Sequence, residues 1–173
     1  MIRWIAANLI SRGEKRTGVK LDYARKILAT NTRLFLRYAK IFAFLDPNAF
    51  VPTDAYHAAR ICGAMNADCG TCVEAEVNLA QRAGVSDEVI RGILNRDAAS
   101  LGDKLAAVVE LSLHITRFED NPVARENVVL HYGETGLIEL AYAMNGAALL
   151  PGIKRAMGYA TSCDLRTLQK RIG

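Results

Sequence analysis

Apolar residues recur along this chain at three- and four-residue spacing, and no long segment shows the strict alternation of a strand. From Leu21 to Leu45 the apolar positions, among them Ala24, Leu28, Phe35, Tyr38 and Phe42, predict a long helix that bends near Thr30-Asn31-Thr32 and stops at Asp46-Pro47-Asn48. Pro52 and Asp54 open a helix through about Met65. Asp68 is the expected N-cap of the next, which runs to Ala83 and ends at Gly84. Ser86 caps a short helix from Asp87 to Asn95, and a longer one covers Gly102 to Phe118. Asn121-Pro122 reads as N-cap and first helical position of a segment closed by Gly133. Glu134 to Leu149 is a further helix, Pro151 starts a short one before Gly158, and the basic tail from Thr161 to Gly173 is compatible with another. The expected class is all-α.

No linker, low-complexity run or internal repeat divides the 173 residues, which suffice for one domain with a real core. The expected organisation is an N-terminal extension or short helix over residues 1–20 and one helical domain over 21–173. In the first segment Ile2, Ile5 and Leu9 share a helical face. It is too short and too polar at Asn8 for a signal peptide, and it reads as a helix packed on the body or on a neighbouring subunit. No run of about 18 apolar residues suggests a membrane-spanning helix.

Composition sharpens this picture. Apolar residues make up 51% of the chain and aromatics 7%, as in an Ala- and Leu-rich helical interior. The net charge of +4 reads as Lys and Arg spread along the chain, without the basic stripe that nucleic-acid binding needs. Four cysteines, Cys62, Cys69, Cys72 and Cys163, are too few for a secreted disulfide scaffold. In a cytoplasmic protein, the expected setting, close cysteines point to redox chemistry or metal.

The candidate chemistry is concentrated in Asp68-Cys69-Gly70-Thr71-Cys72, with His57 upstream and Glu76 downstream. Cys69, Cys72 and Glu76 stand at i, i+3 and i+7, on one face of a helix. A cysteine in the first turn meets unpaired N–H groups and the positive end of the helix dipole, which favour the thiolate. Helix position alone favours Cys69. His57, Ile61 and Ala64 share a face of the preceding helix, from which His57 could take a thiol proton directly, through Glu76 or through water. Plain packing of two small residues is the alternative for the cysteines, and a carbonyl-bonded core residue for His57. A zinc site of His57, Cys62, Cys69 and Cys72 is disfavoured. His57 and Cys62 are five residues apart, roughly 140° round a helix. His114 and His131 read as packing or capping residues, and Cys163 pairs with nothing in the motif.

The segment from Asp54 to Leu94 resembles the alkylhydroperoxidase (AhpD-like) branch of the carboxymuconolactone decarboxylase family. The match is carried by Cys69 and Cys72, the Val73-Glu74-Ala75 spacer and the stretch from Ala80 to Ile90. The family motif has a glutamate where this chain has His57 and a histidine where it has Glu76. The two residue types are exchanged, and a frequent histidine before the second cysteine is Thr71. A carboxylate one turn from Cys72 disfavours the thiolate, so Glu76 needs a compensating cation, His57, or a proton of its own.

The resemblance implies an AhpD-like helical fold and a homo-oligomer without a bound cofactor or metal. It implies reduction of peroxides, plausibly alkyl hydroperoxides, or of disulfides. Cys72 attacks, Cys69 closes a disulfide, His57 and Glu76 relay protons, and a dithiol donor restores the thiols. A lyase like the decarboxylase namesake and a non-catalytic oligomeric binding protein are the alternatives. The intact cysteine pair argues against both.

Overall fold

The computed structural model describes residues 2–45, 48–162 and 168–170. The Asp46-Pro47 stop, Cys163 and most of the basic tail lie outside the described residues. Among the described residues the structure is all-α, with no strand. In chain order the helices are α1 (Ile2–Thr17), α2 (Asp22–Thr30), α3 (Thr32–Leu45) and α4 (Thr53–Asn66). They are followed by α5 (Gly70–Arg82), α6 (Asp87–Asn95), α7 (Ala98–Ile115) and α8 (Pro122–Ala156).

The helix expected over Leu21 to Leu45 is two helices rather than one bent helix. Asn31 between them is extended (φ −157°), and its side-chain oxygen accepts from the Arg33 and Leu34 N–H groups at 2.9 and 3.1 Å. That is an N-cap, and it ends one helix by starting the next. Ser86 and Asn121 cap α6 and α8 as expected, accepting from the Val89 and Ala124 N–H groups. Gly102 does not begin α7. The helix starts at Ala98 and kinks at Gly102, whose φ of 70° a side chain would disfavour. Gly133 (φ 68°) breaks α8 in the same way, and Pro151 sits inside its last turns rather than starting a separate helix.

Helix α4 is the axis of the bundle. Every residue from Ala55 to Met65 is buried, and α5, α6, α7 and α8 all pack on it. Its small residues permit this. At Gly63 the α8 backbone comes so close that a Cβ would lie 2.1 Å from the Met144 carbonyl oxygen. Ile61, Ile90, Ile93, Val108, Val128 and Leu140 fill the surrounding core without exposure. The start of α4 is tied to α8 by the buried Glu139, whose carboxylate accepts from the Ala49, Phe50 and Val51 N–H groups at 2.6 to 2.8 Å. Helix α8 is long and apolar enough to cross a membrane, contrary to the sequence expectation. Its kink at Gly133 and its packing on α4 and α7 make it a core helix here.

A second, smaller core joins α1, α2 and α3 through Ala6, Ile10, Tyr23, Ala24, Leu28, Phe35 and Tyr38. This layer covers one side of α5 and the end of α8. The space left between the layers is the cavity described next.

Candidate active site

Helix α5 begins one residue later than expected. Asp68 has a left-handed backbone (φ 48°) and is exposed, with Arg155 bonded to its carbonyl and to that of Ala67. The N-cap position is Cys69 itself, in extended conformation. The first N–H groups of α5 are also occupied. Gly70 donates to the Thr161 carbonyl at 3.1 Å and Thr71 to the Thr161 hydroxyl at 3.3 Å. Those donors are therefore not the main support for a thiolate.

Besides the Cys72 thiol, support comes from Lys154, a residue that sequence reasoning missed. It projects from the last turn of α8, is only 6% exposed, and donates from Nζ to Thr71 Oγ1 at 2.7 Å. Its ammonium also stands over the Tyr23 ring, 5.4 Å from the centroid. A buried ammonium beside two thiols favours the charged form of either.

The Cys69 pKa is lowered to about 5, first by the hydrogen bond from the Cys72 thiol. Burial opposes that shift, while Lys154, Thr71 Oγ1 and the Cys72 N–H add to it. Cys72 is shifted up as the donor in that same bond and by burial, against the pull of Lys154. The two sulfurs therefore titrate as one unit, which loses its first proton below neutrality and keeps the second between the sulfurs. Exposure points the other way from resting charge. Cys69 is wholly buried, whereas Cys72 is partly exposed and lines the cavity. Transfer of the shared proton to Cys69 puts the charge on Cys72, which Lys154 also reaches by hydrogen bond.

The cavity has a volume of about 410 Å³. Its floor is Thr71, Cys72, Ala75, Glu76 and Lys154, and its roof is the inner face of α1, α2 and α3. Tyr23 and Tyr38 share a hydroxyl–hydroxyl bond of 2.6 Å in its wall, and burial pushes both phenols up, Tyr23 to about 12. Both stay protonated as hydrogen-bond donors.

Glu76 faces this cavity, as its spacing predicts, but the cation beside it is Arg60 of α4. Arg60 Nε lies 2.7 Å from one carboxylate oxygen and its Nη2 3.1 Å from the other. Both side chains are nearly inaccessible, and Arg60 also donates to the Tyr56 hydroxyl at 3.1 Å. Burial alone would lower the Arg60 pKa, but the carboxylate outweighs it and holds the guanidinium charged. His57 lines a different cavity, of about 540 Å³, together with Arg16, Asn48, Arg82 and the other side of Arg60. The structure thus brings Cys69, Cys72 and Glu76 together and sets His57 behind Arg60. Cys62 is fully buried in the α4 core, where burial pushes its thiol up to about 12, and it is no part of either cavity.

No protein-family model matches the chain, and no curated protein does. Solved structures do. The fold is shared with the debrominase Bmp8. The apo form matches with a TM-score of 0.77 at 17% identity, over 94% of this chain and 89% of that one. A cysteine-to-alanine variant of Bmp8 in complex with 2,3,4-tribromopyrrole matches with a TM-score of 0.75 at 17% identity, over 94% and 88%. This likeness supports the helical fold expected from the AhpD-like resemblance. At such identity it carries the fold and no activity.

The electrostatics have a measurable consequence. The thiol pair should react with iodoacetamide down to about pH 5, losing its rate as pH falls through that value. Lys154→Met should move this midpoint upward by about one pH unit, because a nearby cation no longer favours the thiolate. Stopped-flow alkylation across pH 4 to 9 measures both.

Proposed function

We propose that this chain is an enzyme, a thiol-dependent oxidoreductase of the AhpD-like type that reduces hydroperoxides through Cys69 and Cys72. The observation that carries the proposal is a thiol pair of which Cys72, with the buried Lys154, lies at the floor of a largely apolar cavity. The Cys72 thiolate attacks the distal peroxide oxygen, the O–O bond breaks, and the leaving alkoxide takes a proton to become the alcohol. The resulting sulfenic acid is attacked by Cys69, which forms the disulfide and releases water. Two thiols and one peroxide thus become one disulfide, one alcohol and one water. A dithiol reductant returns the pair to thiols, and no bound cofactor takes part.

Glu76 holds Arg60 in the cavity floor. A proton relay through His57 would have to pass Arg60, which takes both Glu76 oxygens. Replacing His57 by Gln should then leave the alkylation midpoint in place, and a shift equal to that of Lys154→Met would restore His57 to the proton path. A homo-oligomer in the cytoplasm remains part of the proposal. Exposed Phe44, packed against Tyr142 with ring centroids 4.8 Å apart and tilted by 42°, and Leu149 offer an apolar face for assembly.

A second reading borrows the reaction named for the structural neighbours and uses the same sulfurs. An aryl bromide in the cavity could lose bromine to Cys72. The S–Br bond would form, the ring carbon would take a proton, and Cys69 would expel bromide as the disulfide closes.

Intact mass and a free-thiol count, before and after one equivalent of cumene hydroperoxide, test the first reading. The expected result is loss of two thiols and two hydrogens at Cys69 and Cys72. A bromopyrrole in place of the peroxide tests the second through released bromide. If both thiols stay reduced in each case, the redox proposal fails.

A further inference from the structure

The cavity above Cys72 holds a chemical group that the thiol chemistry leaves unused, the hydroxyl pair of Tyr23 and Tyr38. Both side chains are buried in the layer of α1, α2 and α3, and both line the cavity. Their oxygens lie 2.6 Å apart. Two hydroxyls carry two protons, and the bond between them uses one. Among the described residues neither hydroxyl has another hydrogen-bond partner. One O–H is left over beside the cavity, and a buried donor calls for an acceptor.

The left-over proton belongs to Tyr23. The Tyr38 ring is set edge-on to Tyr23 and Phe42, at interplanar angles of 88° and 87°, which fixes its hydroxyl against that of Tyr23. Burial raises both phenols, but the bond between them lowers Tyr23 and raises Tyr38, as it does when Tyr38 donates to the Tyr23 oxygen. Tyr23 is also the one tied to the cavity floor. Lys154 Nζ stands 5.4 Å from its ring centroid and 2.7 Å from Thr71 Oγ1, next in sequence to Cys72. The charges of Cys72, Cys69 and Glu76 all act on its hydroxyl.

The peroxide reaction proposed above needs a proton for the leaving alkoxide. The thiol pair does not supply it, because its one remaining proton leaves in the water formed as Cys69 closes the disulfide. Lys154 cannot give up a proton without losing the charge that favours the thiolates, and Glu76 has both oxygens on Arg60. A phenol is a stronger acid than an alcohol, even when burial takes it to about 12.

We propose that Tyr23 is a catalytic residue of this cavity, the proton donor to the oxygen that leaves when the O–O bond breaks, and that Tyr38 is the positioning residue that holds it. The electron pair of the broken bond goes to the leaving oxygen, the Tyr23 proton joins it, and the alcohol forms. The tyrosinate left behind accepts from the Tyr38 hydroxyl, lies beside the Lys154 ammonium, and regains its proton from solvent. This assignment rests on the peroxide reading.

The test compares two oxidants whose leaving groups differ in their need for a proton. Cumene hydroperoxide leaves an alkoxide, whereas peracetic acid leaves acetate, a carboxylate that stays ionised at neutral pH. Stopped-flow oxidation of the full chain reads both rates. Tyr23→Phe keeps the ring beneath Lys154 and should slow cumene hydroperoxide about a hundredfold, with peracetic acid within about twofold of the parental rate. Tyr38→Phe removes one bond to Tyr23 and should slow cumene hydroperoxide roughly two- to tenfold. The double change leaves no hydroxyl stranded and should match Tyr23→Phe. The alkylation midpoint should stay at about 5 in all three, since neither phenol is among the groups that lower Cys69. An equal loss with both oxidants, no loss with either, or a loss accompanied by a displaced midpoint would overturn the role of Tyr23 and leave the redox reading standing. A parental protein whose thiols resist both oxidants would overturn the two together.

Discussion

Cys72→Ser should stop peroxide-driven oxidation altogether, with a loss of at least about a thousandfold in the rate of thiol consumption. The argument is one of access. Cys69 carries the lower resting pKa but is wholly buried, so a peroxide in the cavity meets Cys72. Cys69→Ser should give a different product. Cys72 would still be oxidised, but the sulfenic acid would have no neighbour to close on, and it would persist long enough to be trapped by dimedone as a single adduct. If the roles were reversed, the adduct would form in Cys72→Ser and not in Cys69→Ser. Removing Cys72 also removes the donor that lowers the Cys69 pKa, so Cys69 alone should alkylate with a midpoint displaced upward from about 5. Mass spectrometry after peroxide, with and without dimedone, separates these outcomes.

The helices and the cysteine motif were legible because both are local. Period-3.6 apolar patterns, Ser86 and Asn121 as caps and the Gly133 break each depend on neighbours within a turn. The start of α5 was misplaced because its first N–H groups bond to Thr161, 90 residues away, which leaves no vacancy for Asp68 to fill. Lys154 was invisible for the same reason. Nothing in Pro151-Gly152-Ile153-Lys154 distinguishes a basic end of α8 from any solvated helix end, and only the fold turns it under α1 and α2 onto Thr71. Arg60 did carry a signal. An arginine flanked by Ala58, Ala59, Ile61 and Cys62 is a lone charge in an apolar helix, and such a charge is rarely buried without a partner. That principle asks which carboxylate can reach it, and Glu76 is the answer that the acid–base reading of the motif assigned to His57.

The pairing of Arg60 with Glu76 leads to the second large effect. Arg60→Met should cost about 3–5 kcal/mol, because it leaves the Glu76 carboxylate buried without its cation. For a chain of this length that corresponds to a fall in Tm of roughly 6–20 °C. Glu76→Leu alone should cost a similar amount by stranding the guanidinium. The double change, Arg60→Met with Glu76→Leu, replaces an ion pair by two apolar side chains of comparable bulk and should recover most of the loss, which a double-mutant cycle by thermal unfolding would measure as a strong coupling. The same double variant also decides what Glu76 is for. If the pair only shapes the cavity floor, the refolded double variant should oxidise its thiols at near the parental rate, since Lys154 and both sulfurs are untouched. If Glu76 carries protons to or from Cys72, stability returns but oxidation does not, and the pH profile flattens on the side where the carboxylate acted. Stability and rate measured on one variant thus separate a structural carboxylate from a working one, a distinction that neither single change can make.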